Sequence, residues 1–389
     1  MKTAGIVAEY NPFHNGHKYM AEQVREMGAT HIVAVMSGAT VQRGDVAVFD
    51  KHFRAVKAVE NGVDLVVELP FPYSCSGAEI FARSAIQILA GLGQETVDCL
   101  SFGCENNDIS LLKKAAKASD ELRDNPDVKA MLAEGISYPA AICKAAGKTY
   151  GNDISDVLKT ANNTLAVEYI KAAEKFMPNI EFLPVKRKIA EHDSTKISGD
   201  IASASAIRGL ILTENKLEGL CPYDAKNVPA FSLKIMEREV LFRLSCADKK
   251  QLCAIADCSP EIADKILKTM SGCPKTIEEF LQGCKSKNIT MARLRRILMH
   301  CVLGAEKQDV FSPPYVRILA FNSRGTEILS KCGNAALPVD TSLKSLENSS
   351  EKAARIIRLE NNAVRFQQAC AAGRYVPENE YKKSVRIVK

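Results

Sequence analysis

The chain has 389 residues, of which 46% are hydrophobic and 25% charged, with a formal net charge of +6 and no tryptophan. This is the composition of a globular protein long enough for two domains with a substantial core. No apolar run approaches the ~20 residues of a membrane helix and the start lacks a secretory pattern, so a cytoplasmic protein that engages no membrane is expected. The thirteen cysteines are odd in number and include no Cys-x-x-Cys pair, which argues against a zinc ribbon and a disulfide framework and leaves buried thiols. Charge is unevenly placed. Residues 236–389 hold 26 Lys+Arg against 17 Asp+Glu, a net of +9, which leaves −3 for residues 1–235. A basic part joined to an acidic part suits a polyanion binder attached to a catalytic unit, although solvated helix faces give the same sign.

In chain order, the apolar run from Ala4 to Ala8 is broken by Asn11-Pro12, and Met20, Val24 and Met27 follow at helical spacing. That pattern predicts strand, loop, helix. His14 and His17 then fall at the helix N-terminus, where unpaired backbone N–H groups and the helix dipole favour an anion, and Gly16 leaves room for a ligand against the backbone. A triphosphate site in which both imidazoles donate hydrogen bonds is the chemical reading. A metal pair or two unrelated histidines are the alternatives, but no Cys, Asp or Glu cluster stands at ligand spacing, so no metal ligand is assigned. Residues 31–36 read as a second buried strand stopped by Ser37-Gly38, and strand, helix, strand implies a right-handed parallel crossover in a doubly wound sheet. Binding then belongs at the carboxyl ends of the strands. A polar loop is expected at residues 41–45, a helix at 50–61, a third strand at 64–70 and a helix at 78–90. A fourth strand, 97–105, ends on Gly103, where a nucleotide can approach the backbone or the chain simply turns.

Residues 108–156 are helical, polar and Ala-rich. Ala161-Asn162-Asn163-Thr164 opens a helix with an asparagine placed as its cap; capping explains one of the pair and leaves the other for ribose or base contacts. A fifth strand, 180–185, leads into Lys186-Arg187-Lys188 and Glu191-His192-Asp193, with Arg187 suited to a phosphate. Ser203, Ser205 and Arg208 begin a helix with hydroxyls, backbone N–H groups and a cation facing one anion, or form a capped helix that needs no ligand. Beyond Pro229 helices are expected at 236–244, 249–255, 260–270, 276–282 and 290–303. Lys285, Lys287, Arg293, Arg295 and Arg296 form a run without acidic residues beside the apolar Leu294, Ile297, Leu298 and Val302, a footprint for nucleic acid. Pairing of Arg295 or Arg296 with an acid inside the domain is the alternative. The expected organisation is an α/β, doubly wound parallel-sheet domain at residues 1–235, with a helical insertion near 106–156, followed by a mostly α-helical basic domain at 236–389.

Asn11-Pro12-Phe13-His14-Asn15-Gly16-His17, Ser37-Gly38 with Gln42-Arg43-Gly44, Glu68-Leu69-Pro70, Phe102-Gly103 with Glu105, Asn162-Asn163, Lys186-Arg187 with His192-Asp193, and Ser203-Ala204-Ser205-Ala206-Ile207-Arg208 together resemble the tRNA(Met) cytidine acetate ligase family. Arg293-Leu294-Arg295-Arg296 and Val316-Arg317-Ile318-Leu319 extend the likeness more weakly. The chain departs from the family's usual Ile-Leu-Gly at Thr164-Leu165-Ala166 and from its usual Tyr at Glu191. The family belongs to the Rossmann-like nucleotidyltransferases with a His-x-Gly-His signature. What the resemblance implies is a two-step reaction: ATP and acetate give acetyl-adenylate, and the acetyl group passes to the wobble cytidine of elongator tRNA(Met) as N4-acetylcytidine. It implies an ATP site made of Val7, Ala8, Glu9, Tyr10, Asn11, Pro12, Phe13, His14, Asn15, Gly16, His17, Lys18, Tyr19 and Met20, with Gly103, Asn162 and Arg187. His14, His17, Ser203 and Arg208 are the expected catalytic groups, and Mg²⁺ the expected assistant. The alternative function is a small-molecule adenylyl- or cytidylyltransferase without RNA, which leaves the basic C-terminal half unexplained.

Overall fold

The computed structural model describes residues 1–187, 202–214, 217, 219–371, 373 and 377–388. Glu191, His192 and Asp193 lie outside them, as does Lys188. Five strands, β1 (Thr3–Ala8), β2 (His31–Ser37), β5 (Leu65–Leu69), β6 (Cys99–Cys104) and β7 (Glu181–Lys186), pair in parallel in the order β5-β2-β1-β6-β7. Strands β2 and β5 are buried along their whole length, because helices cover both faces of the sheet. Alternate residues separate cleanly: Ile32, Ala34 and Met36 join the core beneath helices Asn15–Glu26 and Lys51–Glu60, whereas Val33 and Val35 join the core beneath Ala78–Gly91 and Ala161–Phe176. The strand order reverses between β1 and β6, so a crevice opens at their carboxyl ends.

The expected polar loop at 41–45 is instead a small hairpin of β3 (Thr40–Val41) and β4 (Asp45–Val46). Gly44 turns it with φ +78°, and a Cβ there would lie 2.5 Å from the Arg296 backbone N, so helix Met291–Leu303 rests directly on the hairpin. The expected helical stretches appear as Ile109–Glu121, Pro126–Ala133, Tyr138–Tyr150 and Asn152–Lys159 in the insertion, and as Glu237–Ser245, Lys249–Ala254, Pro260–Ser271 and Ile277–Cys284 further on.

The chain beyond residue 235 does not stay apart from the sheet. β8 (Val316–Phe321) pairs antiparallel with β5, and β9 (Val339–Asp340) and β10 (Arg386–Ile387) pair with β8. The physical reason is that β5 is buried along its whole length and would otherwise be an open edge. A buried ionic cluster reinforces the join. Lys51 Nζ lies 2.5 Å from Glu68, 3.0 Å from Glu360 and 3.1 Å from Glu380, and Arg317 lies 2.7 Å from Glu380 and 3.4 Å from Glu68. Glu360, from helix Glu351–Ala369, accepts from the backbone N–H groups of Ala39 and Phe71, just past the ends of β2 and β5.

Candidate active site at the carboxyl ends of β1 and β6

His14 is the N-cap of helix Asn15–Glu26, and its Nδ1 accepts from the Gly16 N–H at 3.0 Å. His17 returns the contact, its Nδ1 accepting from the His14 N–H at 3.2 Å. Two histidines thus form the reciprocal cap that Ser or Thr and Glu usually make. The rings stack with centroids 3.8 Å apart, and Tyr10 stands edge-on to His17 at 4.9 Å. Burial, then the nearby Arg187 and Arg208, pushes the His14 pKa down to about 3; burial, then His14 and Arg187, holds His17 well below its ordinary value. Both imidazoles are therefore neutral. Since each Nδ1 accepts a backbone N–H, each Nε2 carries the proton and is a donor. Gly16 permits this packing, as a Cβ there would meet His14 Cε1 at 2.9 Å.

The loop that carries them is held by its backbone. Tyr10 sits at φ +45°, a costly conformation for a non-glycine residue, with its ring packed on Phe13 and His17. Asn11 Oδ1 accepts from the Val48 N–H, Phe13 O accepts from the Tyr223 hydroxyl, and Asn15 Nδ2 donates to Gly219 O.

Two arginines flank the histidines. Arg187 donates to Asn162 Oδ1 at 2.9 Å, beside Gly103, and Arg208 donates to Asn11 O at 2.8 Å and Ser205 Oγ at 3.0 Å. Burial lowers the pKa of each, yet a guanidinium stays charged. Ser203 Oγ accepts from the Ala206 N–H, capping helix Ala204–Glu214. The asparagines differ from expectation. Thr160 stands at the cap of helix Ala161–Phe176, and the Glu105 carboxylate takes the Asn162 and Asn163 N–H groups. Asn163 is buried and accepts from the Glu105 and Asn106 N–H groups, which fixes the chain after β6. Asn162 alone faces the cavity, its amide set between Glu105 and Arg187.

A cavity of about 270 Å³ gathers these groups. Val7, Ala8, Glu9, His14, His17, Met20, Gly103, Asn162, Arg187, Ser203 and Arg208 line it. Tyr10 to Phe13, Asn15, Gly16, Lys18 and Tyr19 do not, and those described above shape the loop from behind. Among the described residues no group of three or more His, Cys, Asp or Glu is arranged to hold a metal.

Sequence reasoning missed Arg54. Fully buried, it donates to the carbonyls of Glu9 (2.7 Å), Ser37 (3.0 Å), Phe49 (3.0 Å) and Gly38, tying the ends of β1 and β2 together. The signal was present: Lys51, Arg54, Ala55 and Ala58 share one helical face, so two cations sit on an apolar stripe. The basic run also differs from its reading as an acid-free face. Arg293 Nε donates to Asp257 O, Arg296 lies 3.7 Å from the Asp257 carboxylate with 13% of its side chain exposed, and Arg295 lies 3.7 Å from Glu278. Lys285 and Lys287 are exposed.

The model of the HIGH Nucleotidyl Transferase family matches residues 1–382. The tRNA(Met) cytidine acetate ligase of Caldanaerobacter subterraneus is 36% identical over 377 residues, covering 90% of this chain and 91% of that protein. The chain belongs to the tRNA(Met) cytidine acetate ligase family. Its member from Caldicellulosiruptor saccharolyticus is 38% identical over 353 residues, covering 85% of this chain and 84% of that protein. Among solved structures, apo Thermotoga maritima TmcAL superposes with a TM-score of 0.90 at 29% identity over the full length of both chains. The same protein bound with alpha-thio ATP gives 0.85 at 28% identity, covering 99% of this chain and 100% of that one. The Thermotoga maritima protein therefore shares the overall architecture over the length of both chains, the part beyond residue 235 included.

Proposed function

We propose that the chain activates acetate with ATP and transfers the acetyl group to the wobble cytidine of elongator tRNA(Met), forming N4-acetylcytidine. The observation that carries this reading is the pair of stacked, neutral imidazoles whose acceptor nitrogens are spent on the backbone, leaving two Nε2–H donors between two arginines. The names of the relatives, tRNA(Met) cytidine acetate ligase, and the ATP analogue bound to TmcAL support it.

In the first step an acetate oxygen attacks the α-phosphorus, the bond to the bridging oxygen of the β-phosphate breaks, and pyrophosphate leaves. Negative charge accumulates on the phosphates. His14, His17, Arg187 and Arg208 are held in position before reaction, so their dipoles and charges meet that build-up without rearrangement. Ser203 starts the helix that carries Arg208, and its N-terminal N–H groups favour the same anion. In the second step the exocyclic amine attacks the acyl carbon, AMP leaves and the amine gives up a proton. The donor set suits Mg²⁺, which takes few protein carboxylates beside substrate phosphates, and Glu9 is the single carboxylate in the described cavity lining. When bound, Mg²⁺ supplies neutralising charge to the triphosphate. The cytoplasm is the compartment this reading implies, and the thirteen free cysteines suit its reducing conditions.

The test is incubation with ATP, labelled acetate and bulk tRNA, followed by nucleoside analysis. Labelled N4-acetylcytidine confined to tRNA(Met) is expected. Labelled acyl-adenylate without labelled tRNA would restrict the reading to its first step, and pyrophosphate exchange with no dependence on a carboxylic acid would reject it.

A further inference from the structure

The cavity lining carries side chains of two kinds. His14, His17, Arg187 and Arg208 supply donors and charge, whereas Phe81, Leu165 and Tyr169, from the helices on the opposite face of the sheet, supply only an apolar wall with one phenol. We infer that this wall is the acyl pocket: the alkyl group of the acid lies against Phe81, Leu165 and Tyr169, which restrict the substrate to very short carboxylic acids. The inference rests on the acid activation proposed above and names what selects the acid.

A carboxylate that attacks the α-phosphorus points its oxygen at the phosphate and its alkyl group away. The alkyl group must therefore enter a region that adjoins the phosphate donors yet offers no charge of its own. Leu165 and Tyr169 stand four residues apart on helix Ala161–Phe176, so they share one face, and Phe81 reaches the same cavity from helix Ala78–Gly91. The wall is packed. Phe81 is 2% exposed and Tyr169 4%, and the Tyr169 ring lies 6.1 Å from Phe102, itself buried. Close-packed rings of this kind cannot withdraw to admit a longer chain without a cavity or strain elsewhere. Tyr169 also stays neutral, because burial and then the nearby Glu9 carboxylate raise its pKa, so the three wall side chains themselves carry no charge.

The experiment is acid-dependent ATP–pyrophosphate exchange by the full-length chain with acetate, propionate and butyrate. For the unaltered protein kcat/KM should fall about 10- to 200-fold from acetate to propionate, the range that one methylene in an apolar pocket decides. Phe81→Ala and Leu165→Ala should each narrow that ratio at least tenfold, while Tyr169→Phe, which keeps the ring, should preserve it. Leu165 is only partly buried, so its truncation carries the test if Phe81→Ala fails to fold. An unchanged ratio in folded Leu165→Ala, with acetate exchange intact, overturns the pocket and spares the function. A raised KM for ATP with the ratio unchanged also overturns it, since the wall would then hold the base. Exchange with no acid at all overturns both.

Discussion

At His14 and His17 the useful property is the lack of charge. A cationic imidazole would be the stronger anion partner, but burial first and the nearby arginines second disfavour that charge. Truncating either ring, His14→Ala or His17→Ala, removes one prearranged donor and should lower acetate-dependent pyrophosphate exchange by roughly 10²-fold or more. The pH profile should show no loss of exchange near the ordinary histidine value of about 6.5, because both rings are already neutral well below it. The linkage to stability has a definite sign. Between about 6.5 and about 3 the unfolded histidines bind protons and the folded ones do not, so stability is full above about 6.5 and falls as pH drops through that window. Urea midpoints measured across it should fall less steeply for His14→Ala. The place of these residues at the start of the first helix, after β1, was legible from the phrase that contains them. Their mutual capping was not, since histidine is outside the usual set of cap residues.

Most elements with a strong period were read from sequence; helix Glu351–Ala369 was not, although Ala353, Ile356, Ile357, Ala363 and Val364 keep a helical spacing, and neither were elements whose form depends on a distant partner. The helix at Asn15–Glu26 and the five parallel strands carry their own periodic signal. The hairpin β3–β4 is two residues on each side and takes its shape from the helix Met291–Leu303 that lies on it, while β8 is defined by its pairing with β5 far away in sequence. Similarly, Asp257 and Glu278 reach the basic run only once the chain is folded. Gly44 tests the hairpin contact. Gly44→Ala faces a left-handed φ, worth about 1–3 kcal/mol, and a backbone collision with Arg295 and Arg296. A lower melting temperature together with reduced exchange is expected, because the hairpin loop residues Gln42 and Arg43 line the cavity. On the same helical region, Lys285 and Lys287 are the exposed members, so Lys285→Glu with Lys287→Glu should weaken tRNA binding and flatten its salt dependence by about one to two units of log–log slope, with exchange retained. Filter binding across salt concentrations measures it.

On the scale of the whole molecule, the cluster of Lys51, Glu68, Arg317, Glu360 and Glu380 sets three carboxylates against two cations, with His52 also within 2.9 Å of Glu380. Burial raises Glu360 to about 7, so it is the member that absorbs the negative excess. Lys51→Met leaves the carboxylates without their shared cation and should cost about 3–5 kcal/mol, read from denaturant unfolding. Glu360→Gln should cost much less. Because the folded pKa of Glu360 lies above its unfolded value, its contribution is present below about 4.5 and lost as pH rises through about 7, and the Gln variant should lack that component. The pairing of β5 with β8 has a consequence for how this enzyme can be dissected. A fragment ending at residue 235 would present β5 as an open edge, the template on which chains add to one another without limit, and would strand Glu68 in its interior without Arg317. Produced alone, it should sediment with insoluble material; coexpressed with residues 236–389, it should return to the soluble fraction as a complementing pair, with the two pieces copurifying through a tag on either one.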